Sequence, residues 1–172
     1  MSTYVKLAKS AAEYFVRTGD ILAMPVALPS ELLVQRACYI GVYENPGRRL
    51  RSLFGEPLPH YSNVAQEIIM NTVQAIGVAA ARRVRRADLS YLAYTVSVLG
   101  PLQRISDPTH LNPAQYGLHI RSTTGKVAVI LPRRVGIESA EDQIATAMRE
   151  SHIDVRREDV TLYRFDVAYF DT

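Results

Sequence analysis

The chain has 172 residues, 48% hydrophobic and 22% charged, which suits one globular domain with room for two lobes sharing one core. Its single cysteine excludes an intramolecular disulfide and a thiolate zinc cage, and no stretch reaches the roughly 18 uninterrupted apolar residues of a membrane span. A formal charge of +3, from 20 basic and 17 acidic residues, is too balanced to demand a polyanionic partner.

From Tyr4 to Arg17 the apolar residues Tyr4, Leu7, Ala8, Ala11, Tyr14 and Phe15 recur at helical spacing, and Gly19 supplies a stop. Ile21 to Leu33 is punctuated by Pro25 and Pro29 and reads as irregular, with a short turn near Ser30. Ala37 to Tyr43 alternates as a strand, with Cys38, Ile40 and Val42 on one face and Tyr39, Gly41 and Tyr43 on the other. Pro46 and Gly47 then sit at the centre of a turn, because proline presets φ and glycine tolerates its positive range. Leu50 to Gly55 returns as the partner strand. Ser62 is the expected N-cap of a long helix reaching about Ala81. Its apolar half runs from Val64 through Ile76 to Ala80, and Glu67, Asn71 and Gln74 form a polar stripe opposite.

Leu92 to Leu99 reads as a strand stopped by Gly100-Pro101, and Gly117–Ser122 with Lys126–Leu131 as a second hairpin. The apolar run Val127 to Leu131 predicts a strand covered on both faces. Ser139 and Asp142 form a capping pair before a helix containing Ile144, Ala147 and Met148. Val160 to Tyr169 reads as one last strand. This order predicts an α+β fold, a mainly antiparallel sheet packed with three main helices.

Lys6 and Lys9 are followed by no apolar signal core, since Glu13 and Arg17 interrupt it, so a cytoplasmic chain without membrane contact is expected. Seventeen of the basic residues are arginines, with doublets at 48–49, 82–83, 85–86, 133–134 and 156–157. Guanidinium forks fit phosphate, but nearly balancing acids make a solvated surface the simpler account and nucleic acid an unlikely partner.

Several segments in order resemble one family. Arg36-Ala37-Cys38-Tyr39-Ile40 and Leu50-Arg51-Ser52-Leu53-Phe54-Gly55 are similar to the paired strands of AMMECR-type domains, the second of which usually reads L-R-G-C-I-G. Ala65 to Ile69 with Asn71 resembles the helix that follows, and Thr95 to Pro101 resembles the family's V-S-V-L segment. Gly117-Leu118, Leu131-Pro132 and Leu162 to Phe165 fall in the expected order. The resemblance covers roughly residues 4 to 170, and the family is also called protein A of the AmmeMemoRadiSam system.

Here Leu53 replaces the motif cysteine, Ser52 its first glycine and Phe54 its isoleucine, so a mechanism needing that thiol is not available. The stretch Arg82 to Asp88 is shorter than the family's D-P-R-F region, from which Arg83 is the residue carried over. The resemblance implies partners more than chemistry: a Memo-like protein, related to extradiol dioxygenases, and a radical SAM (S-adenosylmethionine) enzyme.

The candidate ligand-binding residues are Arg51, Glu67, Asn71, His60, Cys38 and Arg83. A guanidinium on a half-buried strand needs partners, and Glu67 on the next helix is the expected one. Arg51, Glu67 and Asn71 then either line a recess for a small anionic or polar ligand or merely lock hairpin to helix. His60 is a loop residue, either exposed or binding. Cys38 is either a small core residue or a thiol near the motif strand. The histidines show no ligand spacing, so no metal and no cofactor are expected. Three functions stay open: a small-molecule pathway component, a nucleic-acid-binding module, and a non-catalytic adaptor for the Memo-like partner.

Overall fold

In the computed structural model, which describes residues 1–77 and 83–172, the first helical pattern becomes α1 (Thr3–Thr18). Ser2 caps it by accepting the Val5 N–H, and Gly19, at φ 84°, ends it by donating to the Phe15 carbonyl at 2.8 Å. Strands β1 (Cys38–Glu44) and β2 (Arg49–Gly55) form the expected antiparallel hairpin. Helix α2 (Val64–Gly77) follows, then β3 (Leu92–Leu99) beside β1. With β8 (Val167–Asp171) they make a sheet in the order β2-β1-β3-β8.

Strand alternation decides which face of this sheet the helices cover. Cys38, Ile40 and Val42 stand opposite Val98, Val96 and Tyr94, so all six share one face. Val5, Ala8 and Ala11 of α1 and Ile68, Ile69 and Ala75 of α2 belong to the same buried cluster as that face.

One expectation about α2 is corrected. The cap of α2 is Asn63, one residue after Ser62: its Oδ1 accepts the Gln66 N–H at 2.9 Å. Two residues of the polar stripe are buried, Glu67 being 1% and Asn71 4% exposed. Helix α2 packs against both α1 and the hairpin, so few of its positions face water and these polar side chains find internal partners. The expected helical residues 78–81 lie outside the described residues.

Residues Leu99–Val167 form a second compact unit, the first being Met1–Val98 with Ala168–Thr172. Its strands are β4 (Gln103–Ile105), β5 (Gly117–Ser122), β6 (Val127–Ile130) and β7 (Val160–Phe165), in the order β4-β7-β5-β6. Helix α3 (Ala140–Ser151) opens on the predicted box, with Ser139 and Asp142 bonding each other's backbone N–H. It packs on Leu118, Ile120 and Ile130, each fully buried and contributing about 1.5–3 kcal/mol by leaving water.

Two further corrections fall here. Strand β6 is an edge strand covered unequally: Ala128 and Ile130 join the α3 cluster, while on the other face Val127 is 38% exposed and Val129 half-buried. The pattern from 160 to 169 is two strands, not one, because Asp166 breaks the ladder and its carbonyl accepts the Gly100 N–H. Strand β7 belongs to one sheet and β8 to the other. Among the described residues the fold is α+β, with two four-stranded antiparallel sheets and three main helices. None of those helices is long and apolar enough to cross a membrane.

Candidate functional site

The pairing of β1 with β2 slips by one residue: Val42 faces Ser52, but Tyr43 faces Leu50. Arg51 is the extra residue, a β-bulge that bends the strand and re-aims a side chain. Its side chain is 6% exposed, and the guanidinium donates from Nη1 to Glu44 at 3.0 Å. Nη2 donates to Asp88 and to the Arg83 carbonyl, each at 3.3 Å. Asp88 lies in a short 3-10 helix, Arg86–Tyr91, and also accepts the Arg85 N–H at 2.9 Å. The expected pairing of Arg51 with Glu67 is therefore corrected. The extra residue directs Arg51 to the chain that returns after α2, and Glu67 has other partners.

Glu67 sits in the first turn of α2, where a negative charge is favoured by the helix's free N–H groups. One carboxylate oxygen accepts the backbone N–H of His60 and that of Tyr61, the latter at 2.7 Å. It thus clamps the loop onto the helix. His60 contributes its backbone, while its imidazole points to an exposed position.

One turn along, the Asn71 amide donates to the Cys38 carbonyl at 3.0 Å and lies 3.6 Å from the sulfur. Cys38 is fully buried, and that burial, with a smaller push from the Glu67 charge, moves its thiol up to about 12 against the Asn71 hydrogen bond. It is a core residue. Nor does it stand in for the motif cysteine: Leu53 faces Gly41 on the opposite side of the sheet and is 45% exposed. Gly55 of the motif has a local reason to persist, since a Cβ there would stand 2.5 Å from the same Cys38 carbonyl.

The six candidates thus separate into two groups. Glu67, Asn71, Cys38 and the His60 backbone form one, and Arg51 with the Arg83 carbonyl forms the other. Glu44, Asp88, Ser52 and Tyr94 were not singled out in the sequence. Ser52 and Tyr94 flank Val42 on the helix-covered face, and their hydroxyls are buried with no hydrogen-bond partner among the described residues. Burial first and the Glu13 charge second raise the Tyr94 pKa, against the pull of Arg51, so this hydroxyl feels both groups. Only the pairing register reveals the cluster.

Near it, a recess of about 350 Å³ lies between α1 and the Arg86–Tyr91 turn, lined by Lys9, Glu13, Arg17, Arg86, Ser90 and two leucines. Three cations, one carboxylate and one hydroxyl on leucine walls suit a polar small molecule with acidic character. Arg83 lines a neighbouring cavity of about 270 Å³ with Arg85 and Arg86. Among the described residues, no three of His, Cys, Asp and Glu stand together as metal ligands would.

A Thermotoga maritima protein is 29% identical over 97% of this chain and 96% of its own length. A Clostridium acetobutylicum protein is 28% identical over 96% of this chain, but the match spans 35% of that protein. The crystal structure of uncharacterized protein PH0010 from Pyrococcus horikoshii shares the fold, with a TM-score of 0.84 over 98% of this chain and 89% of that one, at 23% identity. The AMMECR1 family model matches residues 5–170, nearly the whole sequence, and the chain belongs to the AMMECR1 family.

Proposed function

We propose that this chain is a cytoplasmic small-molecule-binding or processing component, acting with a Memo-like, dioxygenase-related protein and a radical SAM enzyme. The recess of about 350 Å³ carries the ligand part of the proposal. Lys9, Arg17 and Arg86 face a single Glu13 there, so an anionic or polar guest meets donors on more than one side. The Arg51–Asp88 pair fixes the turn that forms one wall. The partner part rests on membership of a family whose domains are often encoded beside, or fused to, a Memo-type protein, and beside a radical SAM enzyme. Because Leu53 occupies the motif cysteine's position and Cys38 is buried, recognition is non-covalent at this strand.

The arginine doublets lend the nucleic-acid alternative little support. Arg48 pairs with Asp171, Arg49 with Glu44, Arg134 with Glu150 and Arg157 with Asp154. Native purification of the full chain, followed by mass spectrometry of released small molecules, tests the proposal. A retained molecule that Lys9→Ala or Arg17→Ala no longer holds is expected. A wild-type protein that retains nothing and does not co-purify with the Memo-like partner would sink it.

A further inference from the structure

One set of arginines stands apart from the paired doublets. The guanidinium groups of Arg83 and Arg85 pair with no carboxylate among the described residues, and both residues line the cavity of about 270 Å³ with Arg86. Among the described residues, no acidic one lines that cavity. Its floor is apolar: Phe15 and Val16 from the last turns of α1, Ile76 from the end of α2, and buried Val84.

Two hydrogen bonds fix the walls. Val84 donates its N–H to the Ile76 carbonyl at 3.4 Å, and Arg86 donates to the Arg17 carbonyl at the end of α1. Three cationic residues lining one cavity repel each other, and a bound anion converts that repulsion into attraction. The apolar floor gains when a hydrocarbon replaces water. The volume stands near the lower end of ligand pockets, which run from about 300 Å³ upward, so the guest is small.

We infer that this cavity binds a small amphipathic oxyanion, with its phosphate or carboxylate held by Arg83, Arg85 and Arg86 and a short apolar body on Phe15, Val16, Ile76 and Val84. This rests on the small-molecule proposal above and specifies the chemical class of the guest. The three positions adjoin the recess already described through Arg86, which lines both.

Calorimetric titration of the full chain with hexyl phosphate, hexanoate and inorganic phosphate tests the inference. Hexyl phosphate should bind at least about tenfold more tightly than inorganic phosphate, because only it uses the apolar floor. Arg83→Ala and Arg85→Ala should each weaken it about tenfold, and raising salt from about 50 to about 500 mM should weaken it further. A preference for hexyl phosphate over hexanoate assigns a phosphate, and the reverse a carboxylate; either agrees with the inference. Arg85→Gln, which stays polar but loses the charge, guards against a folding defect and should weaken binding equally. No heat with either hexyl phosphate or hexanoate at millimolar concentration overturns the inference, as does unchanged affinity in the folded Arg83→Ala, Arg85→Ala double variant. If mass spectrometry still finds a retained molecule while these titrations are silent, the class of guest is wrong and the small-molecule proposal stands.

Discussion

Replacing Arg51 by Met removes the charge while keeping much of the side chain's volume. The Arg51 side chain is 6% exposed, and those of its partners Asp88 and Glu44 are 14% and 26% exposed. Removing one member of a buried ion pair costs about 3–5 kcal/mol, because the other is left in a poor solvent. Both carboxylates retain some water, which lowers the expected loss to about 2–4 kcal/mol. A double-mutant cycle with Asp88→Asn isolates the pair and should give a coupling of about 1–2 kcal/mol in urea unfolding. Arg17 and Glu13 provide a control on the same unit: they stand 3.8 Å apart with side chains 63% and 33% exposed, and should couple by less than about 0.5 kcal/mol. If the Arg51–Asp88 coupling is no larger than the control, the bulge does not deliver a buried ion pair and the wall of the recess is not fixed as described.

Other perturbations read the neighbouring groups. Glu67→Gln keeps the oxygen that accepts both loop N–H groups and should cost about 1 kcal/mol, whereas Glu67→Ala strands two amides and should cost about 2–5 kcal/mol; equal losses in urea melts would contradict the clamp. Hydrogen exchange at Tyr61 should accelerate in Glu67→Ala alone. Cys38 should resist a thiol reagent in the folded protein at pH 8 and react fully in denaturant, since burial suppresses both access and thiolate. Glu158 accepts from Lys126, Thr124 and the Asp154 N–H, with the Lys126 bond first among the causes that lower its carboxyl to about 2 from 4.5. A depressed folded pKa stabilises above the unfolded value, and that stabilisation fades as pH falls from about 4.5 through about 2. Glu158→Gln should therefore melt lower than wild type at pH 7, with the gap closing in acid; a gap constant with pH would refute this.

Much of the fold was legible because local patterns carried it. The alternation in Leu92 to Leu99 and the cap at Ser139 each depend on neighbours within a few residues, and both appear as predicted. The site was less legible. A bulge exists only relative to a partner strand, so no property of Leu50-Arg51-Ser52 announces that Arg51 is supernumerary. The helical wheel set Glu67 and Asn71 opposite the apolar half, yet α2 is enclosed by α1 on one side and the hairpin on another. Their partners, a loop amide pair and a strand carbonyl, lie outside the helix altogether. The break at Asp166 was invisible for a similar reason: the residues on both sides favour strands, and only membership of different sheets separates them.

Locating the guest decides the central claim. Crystals of the wild-type chain grown with the molecule it retains through native purification should show that molecule against α1, in contact with Arg86 and with Arg17, Lys9, Arg83 or Arg85. A guest lodged instead on the Leu53 face of the sheet, or anywhere in the second unit, would contradict the account.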